Sequence, residues 1–408
     1  MKIYKVGGAI RDRLLGLPVQ DTDWVVVGAT PQEMEALGYQ KVGQDFPVFL
    51  HPQTKEEYAL ARTERKTAPG YKGFYVHAAP DVTLEDDLRR RDLTINAMAE
   101  TTDGELIDPF GGADDVRTRR LRHVSPAFAE DPVRILRVAR FASRFVPLGF
   151  QVAEETTALM KKMVDAGEVD ALVPERVWTE LVRSLAEEQP SQFFEVLRSC
   201  GALAVLFPEI DQLFGVPQPR RYHPEIDSGI HVLMVLDRAA ELSEDTRVRF
   251  AALVHDLGKG ATPAEEWPRH ISHEDKSVEL VKSLCRRLRA PNDFRDLAVL
   301  AARYHTHCHR AAELRPGTLL ETLEALDAFR RPERLEQFLI VCKADATSRP
   351  GFEDEAYPQA DIFRKAFKAA KGIDAGKLVA DGYDGEKLAA ELRNRRVAAI
   401  SEFKKNSR

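Results

Sequence analysis

Hydrophobic and polar positions follow two different patterns along the 408-residue chain. Up to about residue 115, short apolar or alternating runs are separated by turn signals and short helical stretches. The predicted strands are Ile3–Val6, Trp24–Val27, Val48–Leu50, Tyr58–Ala61 and Leu106–Ile107, and the predicted helices are Ala9–Leu15, Pro31–Leu37 and Leu84–Met98. This part of the chain is therefore expected to mix helices with a sheet.

From about residue 116 onward, apolar residues recur at helical spacing almost without interruption. The clearest stretches are Pro132–Ser143, Glu154–Ala166, Glu175–Ala186 and Gln192–Ser199. A segment rich in Pro and Gly, roughly residues 207–230, precedes a histidine-rich helical region. We predict an α+β protein with a mixed-sheet head (1–115), and then an all-α neck (116–205), body (206–350) and tail (351–408).

Composition excludes several classes of protein. Hydrophobic residues at 44% and charged residues at 30% are ordinary for a globular protein with real cores. The four cysteines have no paired short spacings, which argues against a disulfide framework or a Cys-based zinc site and fits a reducing cytoplasm. No apolar run is long enough for a membrane span or a signal peptide. We expect a cytoplasmic protein with no membrane partner.

The net charge of −6 does not by itself predict nucleic-acid binding, because bulk electrostatics would repel a polyphosphate. Two local clusters are strongly basic. They are Arg117, Arg119, Arg120 and Arg122, and, at the C-terminus, Arg393, Arg395, Arg396, Lys404, Lys405 and Arg408. Taken alone, either cluster is more simply explained as a solvated helix face.

The first candidate site follows the first predicted strand. Gly7 and Gly8 allow the backbone to approach a phosphate closely, and Arg11 could clamp the same triphosphate, although two glycines before a helix are as often a plain tight turn. Asp21 and Asp23 precede the next strand, and side chains two residues apart on an extended chain point to one face. Paired carboxylates suit Mg²⁺, although such a pair alone is more often a turn or a cap.

Four ordered motifs resemble those of the polymerase-beta-like nucleotidyltransferases that include the class II CCA-adding enzymes and bacterial poly(A) polymerases. The first is Gly7–Asp12 with Asp21–Trp24. The others are Arg90–Ala97, similar to RRDxxxNA; Asp108–Gly112, similar to DPxGG; and Glu130–Arg134, similar to EDxxR. The whole chain resembles the bacterial multifunctional CCA family most closely.

The resemblance implies roles for particular residues and for partners. Asp21 and Asp23 would hold the catalytic Mg²⁺ ions, Gly8, Arg11 and Arg91 would contact the incoming nucleotide, and Asn96 would help to read the ribose 2′-hydroxyl. Glu57, just before a predicted strand, is a candidate third carboxylate. The implied partners are tRNA, ATP and CTP, and the implied assembly is a monomer or a homodimer.

The segment from Glu130 to Arg140 bears on base selection. Asp131 and Arg134 are three residues apart, and we place them on one helix face, with Arg137 and Arg140 continuing the row. A carboxylate that accepts and a guanidinium that donates can together match the pairing edge of cytosine or adenine. We expect the four residues to select and hold the nucleotide.

The histidine-rich region carries a second candidate site, and eight of the eleven histidines lie between His223 and His309. The His255-Asp256 pair can bind a divalent metal, although a buried His and a helix-terminal Asp are each common without one. With His231 upstream and Gly258-Lys259 downstream, the stretch resembles the HD phosphohydrolases.

The second resemblance implies a metal set of His231, His255, Asp256, His273 and His305, with His255 and Asp256 catalytic. The sequence does not force the choice between His270 and His273. His305, His307 and His309 alternate, so at most some of them can face one pocket, and two of the three are expected to be chance surface residues. The implied activities are phosphatase, 2′-nucleotidase and 2′,3′-cyclic phosphodiesterase, with Ni²⁺ or another divalent metal.

Together these patterns predict an enzyme that adds CCA to tRNA and repairs tRNA 3′ ends. Three alternatives remain: a poly(A) polymerase with the same head, a non-catalytic RNA-binding module, and a protein active only at its HD site. Whether all three nucleotides are added depends on a flexible loop, for which Thr67–His77 is the candidate.

Overall fold

The computed structural model describes residues 1–19, 21–42, 48–66, 74–219, 227–349 and 351–406. The chain forms two compact units, residues 1–206 and 207–408. Residues 67–73 of the candidate loop lie outside the described residues, as do His223 and Arg408. The four-part division stays a prediction.

The strands and helices of the first unit have the following bounds. The strands are β1 (Lys2–Val6), β2 (Asp23–Val27), β3 (Gln40–Val42), β4 (Val48–Leu50), β5 (Glu57–Leu60), β6 (Thr63–Lys66), β7 (Phe74–His77), β8 (Ala99–Glu100), β9 (Leu106–Ile107), β10 (Arg120–Leu121) and β11 (Gln151–Val152). The helices are α1 (Gly8–Leu14), α2 (Pro31–Ala36), α3 (Leu84–Arg89), α4 (Gly112–Arg117), α5 (Val133–Phe145), α6 (Glu154–Asp165), α7 (Pro174–Leu185), α8 (Ser191–Ser199) and α9 (Ala202–Leu206).

Seven strands form one sheet in the order β3-β4-β5-β2-β1-β8-β9. β2 and β5 are parallel, and the other neighbouring pairs are antiparallel. This confirms the predicted α+β class with a mixed sheet. The sheet is covered on both faces, because Val25 packs in one buried cluster with Leu88 and Val26 packs in another with Phe49. Burial of both faces explains why β2 reads as a continuous apolar run.

The second unit is helical in its described residues. Its helices are α10 (Pro208–Asp211), α11 (Ser228–Leu242), α12 (Thr246–Val254), α13 (His273–Arg287), α14 (Asn292–His309), α15 (Pro316–Ala325), α16 (Pro332–Thr347), α17 (Pro358–Lys371), α18 (Ala375–Ala380) and α19 (Gly385–Asn406). Helices α11, α12, α14 and α16 pack against one another. None of the described helices has the length and apolar character needed to cross a membrane.

Two local predictions were wrong. The predicted helix Leu84–Met98 ends at Arg89, and Leu93 is extended (φ −120°, ψ 146°). The neighbouring Thr94 N–H donates to the carbonyl of Arg122 at 2.9 Å, so a long-range partner replaces the helical one. The region after residue 116 is not purely helical either, since β10 and β11 form a short parallel pair.

Candidate active sites

The first candidate site lies where strands β1 and β2 meet at one end of the sheet. The strands are antiparallel with Val6 opposite Asp23, so the turn at Gly7 lies beside Asp23. β5 runs parallel to β2 and places Glu57 opposite Asp23. Asp21, Asp23 and Glu57 are all exposed. The fold therefore places Glu57, the candidate third carboxylate, beside the predicted metal-binding pair.

The electrostatics of this cluster fit a bound cation. Although the Asp23 side chain is exposed, the surrounding protein removes part of the water from its carboxyl and so raises its pKa. The positive charge of Arg91 lowers this pKa, and the negative charge of Asp21 raises it. Repulsion between neighbouring carboxylates is relieved when they share a positive ion. Exposed carboxylate oxygens are the hard donors that Mg²⁺ prefers, so these residues fit the implied metal.

Gly7 has a backbone conformation that favours glycine, and it lies close to Arg91. Gly7 has a φ of 74°, and a Cβ at this position would lie 2.9 Å from Nη1 of Arg91. The Arg91 guanidinium donates to Oδ2 of Asp87 and to the carbonyl of Asn96, both at 3.2 Å. The Gly7 turn and the Asp87 carboxylate thus hold the positively charged Arg91 guanidinium next to the Asp23 cluster. Gly8, another predicted nucleotide contact, is the first residue of α1 and is half-buried.

A buried polar network joins two of the predicted nucleotide contacts. Arg11 is only 4% exposed, and its guanidinium donates to Asp12 at 2.9 Å and to Oδ1 of Asn96. The Asn96 amide donates to Oδ1 of Asp92 at 3.1 Å, and Arg137 donates to Oδ2 of Asp92 at 2.6 Å. Asp92 therefore links Arg11 to Arg137 through Asn96, a positioning role that the sequence did not reveal.

We expect Asp92→Asn to destabilise the protein by about 2 kcal/mol at neutral pH, less than for a fully buried pair because Arg137 is partly exposed. Burial alone would raise the pKa of Asp92, but Arg137, Asn96 and the Leu93 N–H lower it overall. A carboxyl with a lowered pKa stabilises the fold above its unfolded pKa, and this contribution is lost on acidification. Denaturant unfolding from pH 7 to pH 3 should show the difference between variant and wild type shrinking below about pH 4. A constant difference would contradict this role.

The predicted row of charges on one helix face was wrong in part. Asp131 is extended (φ −121°, ψ 107°) and precedes α5, because the residue before a proline disfavours helical backbone. Its carboxylate accepts from the Val133 N–H at 3.0 Å, next to the start of the helix. Three residues of an α-helix rotate by about 300°, so each step of three falls roughly 60° short of a full turn. Arg134 and Arg140, two such steps apart, therefore point in different directions around α5.

Each α5 arginine has its own protein acceptor. Arg134 is 7% exposed and donates to the carbonyls of Ala127 and Arg90 at 2.5 and 2.7 Å. Arg140 donates to buried Glu180 at 2.7 Å, and its guanidinium lies 4.5 Å from the centre of the Phe141 ring. The arginine side chains of α5 are therefore held in place by hydrogen bonds to other parts of the protein.

The second candidate site is built from five segments of the helical unit. His231 lies on α11, His255 and Asp256 directly follow α12, and His273 is the first residue of α13. Two further residues complete the set: His305 on α14 and Asp345 on α16. The loop after Asp256 touches α13 so closely that a Cβ at Gly258 would lie 2.0 Å from the carbonyl of His273.

The side chains of this second site converge in two overlapping groups. Nε2 of His231 lies 3.0 Å from Oδ1 of Asp345, and Nε2 of His255 lies 3.5 Å from Oδ2 of the same residue. Around the other carboxylate, Oδ1 of Asp256 lies 3.2 Å from Nε2 of His273 and 3.4 Å from Nε2 of His305. The structure thus brings all five predicted metal ligands together and adds Asp345.

The ring orientations fit a divalent metal. The Nδ1 atoms of His255, His273 and His305 lie 2.7 to 3.0 Å from main-chain carbonyls and can donate to them, which leaves each Nε2 facing the cluster. Such an outer hydrogen bond is usual for metal-binding histidines. Nε2 of His255 and Oδ1 of Asp256 are buried and lie close to other polar side chains of the cluster, but neither atom forms a hydrogen bond of good geometry within the described residues. These buried atoms are suited to serve as metal ligands.

The charges of the second site also favour a cation. Burial alone would lower the pKa of His255, but Asp256 and Asp345 raise it to about 10. Burial alone would raise the pKa of Asp256, but Lys259 and His255 hold it well below its usual range. The two carboxylates therefore stay charged and attract positive charge to the centre of the cluster.

The structure separates the remaining histidines by their contacts. His270 is buried, with Nδ1 2.7 Å from Oγ1 of Thr262 and Nε2 2.8 Å from the carbonyl of Pro217, so both nitrogens are occupied away from the cluster. His307 contacts Thr322, and none of His305, His307 and His309 is exposed. The expectation of chance surface histidines was wrong, since His309 lies 2.8 Å from Asp345.

Asp345 was missed because no motif marks it. It lies on α16 among buried Val341, Cys342 and Ala344. A carboxylate on the apolar face of a helix is costly unless it is paired, and this pattern was the available signal.

Single substitutions of His270 and His273 should distinguish a structural histidine from a metal-binding one. His273→Ala should weaken Ni²⁺ or Mn²⁺ binding by at least about 10-fold, because it removes a nitrogen that faces Asp256. His270→Ala should leave the affinity within about 2-fold and lower the free energy of unfolding by about 2 kcal/mol through two lost hydrogen bonds. Calorimetric titration and thermal melting measure the two effects. Equal losses of affinity would contradict the assignment.

Family models match three parts of the chain. The model described as the poly A polymerase head domain matches residues 3–122, and the model described as a probable RNA and SrmB binding site of polymerase A matches residues 149–214. The HD domain model matches residues 229–349, which include all six residues of the second cluster.

Similar proteins cover the whole chain. The Multifunctional CCA protein of Thioalkalivibrio sulfidiphilus is 66% identical over 404 residues, covering 99% of each chain. That of Nitrosococcus oceani is 64% identical over 402 residues, covering 98% of each chain. Among solved structures, a CCA-adding enzyme in apo form II has a TM-score of 0.67 at 21% identity and covers 100% of this chain and 92% of that chain. The Thermotoga maritima CCA-adding enzyme complexed with tRNA has a TM-score of 0.61 at 21% identity, covering 98% of this chain and 87% of that one. These two structures support the fold.

Proposed function

Because this chain belongs to the family of multifunctional CCA proteins, we propose that it adds C, C and A to the 3′ end of tRNA from CTP and ATP. The reaction uses no nucleic-acid template and releases pyrophosphate. The observation that carries the proposal is the position of Asp23 in the sheet, beside Asp21, Glu57 and the Arg91 guanidinium.

Asp21 and Asp23 would hold Mg²⁺, with Glu57 as a third carboxylate. Bound there, the metal supplies activation of the tRNA 3′-hydroxyl and charge stabilisation for the leaving pyrophosphate. The guanidinium of Arg91 offers paired donors to triphosphate oxygens. Gly8 lets the nucleotide approach the backbone, and Arg11 fixes Asn96, which is assigned to the ribose.

The start of α5 is assigned to base selection. Asp131 accepts and Arg134 donates, a combination that matches the pairing edges of cytosine and adenine. Base reading requires the Arg134 guanidinium to exchange a main-chain carbonyl for the base. Arg137 and Arg140, held by Asp92 and Glu180, would contact the base and its phosphates.

The basic cluster around β10 is assigned to tRNA. Arg117, Arg119 and Arg120 are exposed, and exposed guanidinium groups contact RNA phosphates without reading sequence. The C-terminal basic cluster would have the same role. All four cysteines are buried and unpaired, which suits an enzyme that works in the reducing cytoplasm.

We assign the second site to repair of tRNA 3′ ends, with phosphatase, 2′-nucleotidase and 2′,3′-cyclic phosphodiesterase activities. His231, His255, Asp256, His273, His305 and Asp345 would hold Ni²⁺ or another divalent ion, which supplies activation of water and of the phosphate ester. Lys259, 2.6 Å from Asp256, holds that carboxylate in its charged form.

Extension of a tRNA that ends in CC tests the nucleotidyltransferase assignment against poly(A) synthesis. With labelled ATP as the sole nucleotide, we expect the addition of one A and then arrest. Long A tails would contradict the assignment. A tRNA that ends at the discriminator base should gain two C residues when CTP is the sole nucleotide, and a failure of this step would identify an enzyme that adds A alone.

A further inference from the structure

An open basic cavity lies on the helical unit, away from the histidine cluster. Its volume is about 680 Å³, and it is lined by the C-terminal half of α13, the N-terminal half of α14 and residues of α15 and α16. On α13, Cys285 at the cavity lies twelve residues after His273, or roughly 18 Å along an α-helix. The cavity is therefore separate from the candidate metal centre.

The lining is strongly positive. Five basic side chains, Lys282, Arg286, Arg289, Arg295 and Arg334, face the cavity together with one carboxylate, Asp296. Arg295 already donates to that carboxylate at 2.8 Å. The whole chain carries a net charge of −6, so this excess of positive charge is local. A concave surface with one sign of charge concentrates ions of the opposite sign.

Two of the five basic side chains have hydrogen-bond donors that no protein group in the described residues accepts. Within the described part of the chain, the guanidinium groups of Arg286 and Arg334 form no side-chain hydrogen bond, ion pair or ring contact. They belong to different helices, α13 and α16, and they meet at this one cavity. Arginines left without protein acceptors around a cavity are suited to bind phosphate oxygens.

The floor of the cavity is apolar. Cys285 is 2% exposed, and Val299, Leu300 and Ala325 line the same space. A chain of RNA phosphates needs exposed cations and makes no use of an apolar recess. A free nucleotide uses both, because its base packs on apolar surface or stacks on a guanidinium while its phosphates take the arginines. The volume is within the usual range of small-molecule sites.

We propose that this cavity is a second nucleotide site, which binds a free nucleoside polyphosphate by Arg286 and Arg334 and packs the base on the floor beside Val299. The site is independent of the function assigned to either metal cluster. Its position between α13 and α14 places a bound nucleotide on the same two helices that carry His273 and His305.

Photocrosslinking with 8-azido-ATP, without added metal, tests the proposal on the full chain. We expect labelled peptides both from the head and from α13 or α14. Arg286→Ala combined with Arg334→Ala should reduce the α13–α14 label at least 10-fold and leave the head label unchanged, which also shows that the variant is folded. The matched control, Arg310→Ala combined with Arg330→Ala, removes two exposed arginines outside the cavity and should keep both labels.

A wild-type protein labelled on the head alone would overturn the proposal. So would a double variant that keeps its α13–α14 label. Gel-shift titration with tRNA tests whether the cavity binds tRNA phosphates instead of a free nucleotide. We expect the cavity variant to bind tRNA with the same affinity as the control variant. Loss of tRNA affinity without any labelling of α13–α14 would assign the cavity to RNA and would also overturn the proposal.

Discussion

Asp23→Asn is expected to reduce the transfer of CMP and AMP to tRNA by at least about 10³-fold. The substitution keeps the shape of the side chain and removes the negative charge at the centre of the Asp21, Asp23 and Glu57 cluster. An amide is a much weaker ligand for Mg²⁺ than a carboxylate, and its neutral oxygen no longer balances the positive charge of Arg91. Single-turnover incorporation of labelled CTP measures the effect on the chemical step.

Asp103→Asn is the matched control, because Asp103 lies exposed in a turn of the same unit. It should leave incorporation within about 2-fold of wild type, as is usual for surface substitutions. The Asp23 variant should also hydrolyse a simple phosphodiester at the wild-type rate, since that reaction belongs to the other cluster. Incorporation above a tenth of the wild-type rate would remove Asp23 from the metal site.

Asp345→Asn is expected to abolish the hydrolase activity, with a loss of at least about 100-fold in rate and in metal affinity. Burial alone would raise the pKa of Asp345, but His255, His309 and His231 hold it well below its usual range. The neutral amide removes one of the two carboxylates that draw a cation to His255. Hydrolysis of bis(p-nitrophenyl) phosphate with Ni²⁺ and calorimetric titration of the metal measure the two losses.

The control for Asp345 is Asp275→Asn, an exposed carboxylate on α13 that pairs with Arg303. It should retain activity and metal affinity. Both variants should still add CCA at the wild-type rate. An Asp345 variant with normal metal affinity would show that the histidines and Asp256 alone hold the ion, and it would remove Asp345 from the site.

Much of the first site could be predicted from local sequence. Asp21 and Asp23 could be found from their place at the start of an apolar strand together with the family motif. The position of Glu57 opposite Asp23 depends on the pairing of β2 with β5, which the sequence did not show. Arg91 could be matched by its motif, but its contact with the Gly7 turn depends on how α3 ends. The sequence could not show where α3 ends, because the hydrogen bond from the Thr94 N–H to the distant Arg122 carbonyl replaces a helical one.

The α5 arginines show why spacing alone is a limited guide to a site. The three-residue interval was taken as a single row, but Pro132 excludes Asp131 from the helix and each arginine meets a different acceptor. Those acceptors, Asp92 and Glu180, are far away in sequence. Asp345 was missed for the same reason, since only the packing of α16 against α11 and α12 brings it to His231 and His255.

Sequencing of product 3′ ends tests the central claim most directly. A tRNA that ends at the discriminator base is incubated with the wild-type enzyme, Mg²⁺ and all four nucleoside triphosphates. We expect nearly every extended molecule to end in CCA, with no G or U and no further A. Tails of A, mixed sequences, or no extension by a folded enzyme would contradict it.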